Sequence, residues 1–513
     1  MAALVQSNQP SSSMEAEMVD RISDLPIPIL HHILSFLPTR DVVRTCVLSK
    51  HWCSTCSSFP ILEFDIYDVR SYRRGSYNNP IKDEEFLRWV DARVQRLYET
   101  NTSIVSLTVA VDLLDPQIFR AIERAMERNV QELDLDFDLL NGRFQHQNML
   151  YYSASSVIVY KLGGIDLHLP DLLRGCPLIQ ELNLSSCLLQ ETTIVNDANN
   201  LKTLVFKSCR GMRDFVIRAP NLESFAYSGG SPCAIHLAQT SSLKNLRLGG
   251  HIFISEQWLE NLIRGCPNLE FLKIYCNGWE RMAIRHQRLK TLKLHDWTSG
   301  GFIKIDTPEL LHFTYHGTTK PFYTFNYSAS LKATLNLFRY EEDDAPWFAS
   351  LRKMLGWFSQ CETLQLAPHF SPEDLIFGMD IRDNSIPLVY GLKNLEIQFR
   401  TRRQVPFIEL IDTYLWLCPH LETLKIACKD AEEAAFKFER EHRNVALCCA
   451  EHPGECWKFS VKKVTLTSYV GRNTDKKSLL SYFQRVSAAM ETLEDSSDHS
   501  KLIAEESFFL VDL

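Results

Sequence analysis

A six-residue pattern that recurs at a nearly constant period constrains the fold of this chain more than any other feature. The pattern is apolar-x-x-apolar-x-apolar, and a well-formed copy is LKTLKL at residues 289–294. Between residues 179 and 310, successive copies begin 20 to 26 residues apart. One such unit is too short to bury its apolar side alone, so neighbouring units must stack on each other. The sequence therefore predicts a solenoid.

The copies of this pattern extend over most of the chain. They begin at residues 104, 130, 157, 179, 201, 222, 243, 269, 289, 310, 332, 361, 392, 421 and 461. A period of about 20–29 residues is typical of leucine-rich repeats, which are α/β units with parallel strands on the concave face. We therefore predict leucine-rich repeats over residues 101–470, and irregular ones after 332, where the spacing increases to between 29 and 40 residues.

Glycine and proline mark the boundaries between these units. LLRGCP at residues 172–177 and LIRGCP at 262–267 each precede a copy of the pattern. Glycine and then proline after an apolar-periodic stretch indicate the end of a helix. The predicted unit is thus a helix on the convex side followed by a short strand. An ordinary α/β domain with leucine-rich strands is the alternative, and it does not explain the constant period.

The segment before the repeats predicts a small helical module over residues 20–66. Ile29, Leu30, Ile33, Leu34 and Leu37 recur at the spacing of one helix face. Two further short helices follow, and about forty residues bury too little surface to fold well without a partner. The segment is therefore either the cap of a larger domain or a docking module whose apolar face another protein completes.

The order of apolar residues in this module resembles an F-box. The matching residues begin with Leu25-Pro26 and end with Leu48-Ser49 and Trp52. F-boxes bind the Skp-family adaptor of cullin-RING ubiquitin ligases. The resemblance implies that nine residues either dock on that adaptor or pack the module, and the sequence does not separate the two roles. They are Leu25, Pro26, Leu30, Ile33, Leu34, Leu37, Val43, Val47 and Trp52.

The layout as a whole resembles the plant F-box/leucine-rich-repeat family. Within residues 455–490, the stretch that starts VKKVTLTSYVG at Val461 is similar to the strand, loop and helix of the C-terminal FBD domain in that family. Residues 67–100 are predicted to form a linker and a helix. Residues 1–19 are small and polar, so we expect a disordered tail there.

Composition and charge exclude several classes of protein. The net charge of −8 argues against a nucleic-acid binder that relies on phosphate contacts. The chain has no run of about 18 apolar residues, so we expect no membrane span. Fifteen cysteines without a signal sequence indicate reduced thiols. We therefore expect an intracellular protein of the nucleus or cytoplasm.

Catalytic and metal-site motifs are absent from the sequence. It contains no phosphate-binding loop, no H-E-x-x-H and no G-x-S-x-G. Two groups contain cysteine and histidine but lack the paired C-x-x-C spacing of structural zinc sites. They are Cys448, Cys449, His452 and Cys456, and Cys46, His51, Cys53 and Cys56. We expect a binding protein that is not an enzyme and that has no metal or other cofactor.

The third, fifth and seventh residues of each repeat alternate away from the core, so they form the exposed side of the strands. In the central repeats these positions carry basic and aromatic residues. An acidic or phosphorylated segment of a protein client would suit this surface, and an ordinary solvated face is the alternative. The candidate client-binding residues are Lys207, Arg247, Phe271, Lys273, Tyr275 and Lys293.

The resemblance implies a substrate-recognition subunit of a Skp–cullin–F-box E3 ubiquitin ligase. The F-box would bind the adaptor and, through it, the cullin, while the repeats would hold a protein client. Two alternatives are a repeat scaffold that does not act in a ligase and a small-molecule-gated receptor of the same architecture. The sequence identifies neither the client nor a ligand.

Overall fold

The computed structural model describes most of the chain between residues 21 and 497. The tail predicted at residues 1–19 lies outside the described residues, as does the predicted linker up to residue 79. The described residues are 21–66, 80–99, 103–111, 115–137, 155–196, 198–238, 240–252, 255–275, 281–295, 302–319, 322–339, 344–378, 382, 389–400, 405–428, 432–440, 456–487 and 489–497.

The first of two compact units extends to Ile165 and includes residues 174–179. It begins with the three predicted helices and continues with four strands that pair in parallel, each with the next. Its elements are α1 (Ile27–Leu34), α2 (Thr39–Arg44), α3 (Lys50–Ser57), β1 (Ile61–Asp65), α4 (Pro80–Glu99), β2 (Ser106–Val111), α5 (Pro116–Met126), β3 (Glu132–Phe137) and β4 (Val159–Gly163).

Local sequence explains the start and end of these short helices. Pro28 lies in the first turn of α1, where a missing N–H costs no hydrogen bond. The side chain of Ser49 accepts a hydrogen bond from the backbone N–H of Trp52 at 3.2 Å and so caps α3. Helix α1 ends at Leu34, so Leu37, which we predicted on the same helix face, lies in the turn that follows.

The second unit contains the remaining repeats. The elements up to its ninth strand that pair in parallel stacks, with the helices between them, occur in chain order. They are α6 (Leu169–Gly175), β5 (Glu181–Ser185), β6 (Thr192–Val195), β7 (Thr203–Lys207), β8 (Asp214–Arg218), β9 (Ser224–Ala238), β10 (Asn245–Ile252), α7 (Glu256–Arg264), β11 (Phe271–Tyr275), β12 (Arg281–Arg285), β13 (Thr291–His295), β14 (Phe302–Asp306), β15 (His312–Gly317), β16 (Phe322–Asn326), β17 (Lys332–Leu337), α8 (Asp344–Gly356), β18 (Thr363–Leu366), β19 (Asn394–Phe399), α9 (Phe407–Leu417) and β20 (Thr423–Cys428).

The main sheet of this unit confirms the leucine-rich-repeat prediction. Its strands pair in parallel in the order β5, β7, β9, β10, β11, β13, β15, β17, β18, β19 and β20. Each of the fifteen predicted copies of the pattern forms a strand. The leucines of the pattern point into the core, and Leu204, Leu246 and Leu292 are fully buried.

Strands replace the predicted helices on the other side of the shorter repeats. β6, β8 and the second half of β9 pair in parallel, and β12, β14 and β16 form a second set. These strands lie in repeats of 20 to 22 residues, whereas α7, α8 and α9 lie in repeats of 26 to 29. A strand advances about 3.3 Å per residue and a helix about 1.5 Å, so a shorter repeat returns most economically through a strand. The seven-residue helix α6 is the exception.

The parallel arrangement ends at β20, which corrects our prediction that it continues to residue 470. β20 pairs antiparallel with β21 (Glu432–Arg440), and β21 pairs antiparallel with β22 (Val461–Val470). The sequence analysis missed β21 because its sequence, EEAAFKFER, lacks the leucine pattern. The strand and helix predicted from Val461 are present. The remaining elements are α10 (Cys456–Ser460), α11 (Asn473–Val486) and β23 (Thr492–Asp495), which pairs in parallel with β22.

Gly250 allows two neighbouring strands of the main sheet to approach closely. Its φ of +80° favours glycine, and a Cβ there would lie 2.1 Å from the carbonyl oxygen of Gly229. We expect Gly250→Ala to lower the free energy of unfolding by about 2 kcal/mol or more, through backbone strain and this clash. Thermal unfolding of the purified protein measures the effect.

Gly265→Ala is the matched control for this prediction. Gly265 follows α7 with a φ of −70°, and a Cβ there would meet its nearest neighbour, the carbonyl oxygen of Leu262, at 3.4 Å. We expect this variant to unfold close to the wild-type temperature. Equal losses of stability in the two variants would show that strain at Gly250 is not the cause.

Candidate protein-binding surfaces

The N-terminal helical module has a small core of its own. This core contains Leu30, Leu34, Val42, Trp52, Cys56 and Phe59. The indole Nε1 of Trp52 donates a hydrogen bond to Oγ of Ser23 at 2.8 Å, so the polar atom of this buried ring is satisfied. Three of the nine predicted adaptor-binding residues, Leu30, Leu34 and Trp52, therefore pack the module from within.

Most of the other predicted residues lie on the surface of the module. Pro26, Ile33, Leu37, Val43 and Val47 are exposed, and Val47 has 86% of its surface accessible. Leu25 is half-buried against the core. The structure thus separates the two roles that the sequence left together.

The exposed apolar side chains of this module form an extended set, which we call the apolar docking surface. Phe36 and Leu48 belong to it, although neither was among the predicted residues. Their exposure, 75% and 65%, is high for large apolar side chains, and a concentration of such residues marks an interaction site. The apolar docking surface comprises Ile22, Ile27, Ile29, Ile33, Phe36, Leu37, Val43, Val47 and Leu48.

A group of thiols lies beneath this module. Cys46, Cys53 and Cys56 interact with one another, and burial raises the pKa of the Cys46 thiol. Nη2 of Arg93, on α4, donates a hydrogen bond to the carbonyl oxygen of Cys56 at 2.8 Å. Within the described residues, no three cysteine, histidine or carboxylate side chains are arranged to hold a metal ion. Cys448, Cys449 and His452 lie outside the described residues.

Basic side chains of the second unit line up across three strands of the main sheet. Arg247 on β10 is the register partner of Lys273 on β11, and Lys273 is the partner of Lys293 on β13. We call these three residues the cation row. Adjacent strands are about 4.8 Å apart, so the three positive charges lie side by side.

An aromatic ring lies among these cations. The guanidinium carbon of Arg247 is 5.1 Å from the centre of the Phe271 ring, and Nζ of Lys293 is 6.0 Å from it. Both distances are within the range of cation–π interactions. Lys207 does not join this group, because it lies on β7 and β9 separates that strand from β10.

Position in the repeat determines whether a cation has a carboxylate on the neighbouring strand. Nζ of Lys244 lies 2.9 Å from Glu223, and Nζ of Lys290 lies 3.1 Å from Glu270. The register row that contains the cation row has no carboxylate from Val205 on β7 to Gln365 on β18, all of which the structure describes. Positive charge is therefore concentrated on this part of a chain that is negative overall.

Two histidines stack beside the cation row. The ring centres of His295 and His316 are 4.1 Å apart, and their planes differ by 7°. The Tyr275 ring lies 5.3 Å from His295 on the other side, and Nδ2 of Asn336 lies 3.2 Å from Nε2 of His316. We call His295 and His316 the histidine pair. Sequence analysis missed it, although both residues occupy the seventh position of a repeat.

The environment of the histidine pair keeps both rings uncharged. Burial, reinforced by Lys273 and Lys293, lowers the pKa of His295 to about 4. Burial lowers the pKa of His316 to about 3, with contributions from His295 and other nearby cations. At neutral pH, the positive charge of this surface therefore comes from lysine and arginine alone.

Comparison with known protein families agrees with both parts of this architecture. The model of the F-box domain matches residues 22–64. The model described as "At1g61320/AtMIF1, LRR domain" matches residues 233–494, slightly more than half of the chain. The second match includes the central repeats and continues through the antiparallel strands at their end.

Similar proteins of Arabidopsis thaliana combine the same modules. One that is named for an F-box, an FBD and leucine-rich repeats is 25% identical over 496 residues, which cover 92% of this chain and 83% of the relative. Another, named for an F-box and leucine-rich repeats, is 30% identical over 280 residues, or 53% of this chain and 52% of the relative. A third with that kind of name is 28% identical over 290 residues, or 54% and 58%. The described part of the chain includes no helix long and apolar enough to cross a membrane.

The distinction between core and surface residues in the helical module is open to experiment. We expect Leu34→Ala to destabilise the module by about 2–4 kcal/mol, because it leaves a cavity in a small core. Val47→Ala should change its stability by less than about 0.5 kcal/mol, because the side chain is exposed. Amide hydrogen exchange in α1 and α3 measures both effects, and equally fast exchange in the two variants would contradict the assignment.

Proposed function

Because the chain belongs to the F-box/leucine-rich-repeat family, we propose that it is the substrate-recognition subunit of a Skp–cullin–F-box E3 ubiquitin ligase. In this role the apolar docking surface binds a Skp-family adaptor, and the repeats bind a protein client. The proposal gives the chain no chemical step. It holds the client near the ubiquitin-transferring subunits and so raises the effective concentration of the client's lysines.

The observation that carries this proposal is the exposure of nine large apolar side chains between Ile22 and Leu48. Full burial of one such side chain contributes about 1.5–3 kcal/mol, so even partial burial against a partner gives a substantial driving force. The core of the module is already formed by Leu30, Leu34 and Trp52. The exposed side chains are therefore available to a second protein.

The cation row is the candidate client-binding surface of the repeats. Arginine and aromatic residues are enriched among the residues that contribute most to binding at protein interfaces, and Arg247, Phe271 and Tyr275 are of these types. The absence of carboxylates from their register row favours an acidic client segment. Five of the six client-binding residues predicted from sequence lie in this region, and Lys207 lies apart from them.

The first test of the proposal is adaptor binding. We expect the full chain, co-expressed with a Skp-family adaptor, to elute from gel filtration as a one-to-one complex. Phe36→Asp with Val47→Asp should weaken the complex by at least about 100-fold, because two buried charges would replace apolar contacts. Charged substitutions of Leu30 or Leu34 are unsuitable for this test, because they would disrupt the core of the module.

Val105→Asp is the matched control for adaptor binding. Val105 is also an exposed apolar residue, but it lies just before β2, outside the helical module. This variant should bind the adaptor like the wild type. A soluble wild-type chain that does not bind the adaptor would instead favour a repeat scaffold that acts outside a ligase.

The second test addresses the client. Arg247→Glu with Lys273→Glu should reduce the recovery of client proteins by about tenfold or more, because it reverses the charge of the cation row. Lys244→Glu with Lys290→Glu makes the same change of net charge at another position of the repeats and should retain the clients. Quantitative mass spectrometry of proteins that co-purify with each complex measures recovery. Equal recovery from both double variants would place the client elsewhere.

A further inference from the structure

The histidine pair and two lysines of the cation row come from three adjacent strands, β11, β13 and β15. We propose that Lys273, Lys293, His295 and His316 form a binding site for the phosphate group of a phosphorylated client segment, and that one imidazole takes up a proton when the phosphate binds. This inference rests on the proposed function for the identity of the segment as part of a client. The site itself follows from the geometry.

The four side chains are close enough to act on one ligand. Lys273 and Lys293 are register partners, and His295 lies two residues after Lys293 on the same face of β13. His295 stacks on His316, its register partner on β15. The charge of Lys273 acts on both imidazoles, and that of Lys293 acts on His295. The donors therefore surround one position and do not spread along the sheet.

The chemistry of these donors suits a phosphate monoester. Such a group carries a charge of about −1.5 to −2 at pH 7 and three strong acceptor oxygens. Two lysines balance that charge, whereas a single carboxylate would neutralise only one of them. The amide of Asn336 donates to Nε2 of His316, so the neutral ring carries its proton on Nδ1 and retains an N–H donor.

Proton uptake follows from the electrostatics of the site. In the free protein, Lys273, Lys293, His369 and Arg400 oppose a charge on the histidine pair. A bound dianion would reverse this field and raise the pKa of the nearest imidazole. Because the rings stack at 4.1 Å, a charge on one opposes a charge on the other, so we expect uptake of one proton.

The direction of the pH dependence follows from this linkage. Binding that takes up a proton becomes tighter as the pH falls, over the range between the free and bound pKa values of the imidazole. The second ionisation of the phosphate, with a pKa of about 6, sets the lower limit of the useful range. We therefore expect about threefold tighter binding at about pH 6.5 than at about pH 8.

The experiment uses the full chain and a fluorescein-labelled glycine–serine peptide with two neighbouring phosphoserines. Fluorescence anisotropy at constant ionic strength measures affinity at the two pH values. The same peptide with glutamates or with unmodified serines provides the comparison. We expect the phosphopeptide to bind at least about tenfold more tightly than either, because only phosphate offers a dianion and three acceptor oxygens.

Substitutions assign the effect to individual residues. Lys273→Gln with Lys293→Gln should abolish phosphopeptide binding. His295→Phe with His316→Phe preserves stacked rings but removes the titrating nitrogens, so the affinity should fall and its pH dependence should disappear. If that double variant does not fold, His295→Gln alone provides the same test. His236→Phe is the control, because His236 is exposed on the part of β9 that pairs with β8, outside the main sheet.

Each outcome bears on a separate conclusion. Equal affinity for the glutamate and phosphoserine peptides would overturn phosphate specificity. Binding that is unchanged in the lysine double variant, or undetectable in the wild type, would overturn the site. A pH dependence that survives in His295→Phe with His316→Phe would overturn the proton uptake. Adaptor binding of the same preparations tests the proposed function independently, because the apolar docking surface lies in the first unit.

Discussion

The structure of the repeats depends on the burial of leucines that no single repeat can cover. Each inward leucine becomes buried only when the next strand pairs beside it, and this pairing is parallel and without interruption from β5 to β20. Because side chains alternate along a strand, fixing the leucines inside also fixes their neighbours outside. Residues some 20 positions apart in sequence, such as Lys273 and Lys293, thereby become neighbours. The buried leucines thus position the charged surface.

How much of this could be predicted from the sequence follows from which signals are local. The strands were predictable because each carries its own apolar pattern. The strands that return on the other side, such as β12 and β14, were predicted as helices because their choice depends on the length of the whole repeat. Leu34 and Val47 could not be assigned to core and surface, since a turn and the 3-10 helix Thr45–Val47 interrupt the helical period between them. The histidine pair was missed because its meaning depends on a partner in another repeat.

The two candidate surfaces use different physical interactions, and this fits different kinds of partner. The apolar docking surface offers a large hydrophobic area on a module with a small core, which suits a constant partner that also stabilises the module. The cation row is exposed, and screening by salt weakens its interactions, which suits exchangeable partners selected by charge. Because they lie in different compact units, a substitution in one surface need not affect the other.

The histidine pair also couples the stability of the repeats to pH. Its folded-state pKa values, about 4 for His295 and about 3 for His316, lie below the ordinary value of 6.5. The unfolded chain therefore binds more protons in the range below about pH 6.5, and the free energy of unfolding falls as the pH drops through it. Stacking two imidazoles beside Lys273 and Lys293 is thus unfavourable for the free protein in acid and neutral in effect above pH 7. An anion that balances the lysines removes the cause of this penalty, so the feature that weakens the free repeats in acid is the one that would strengthen their complex.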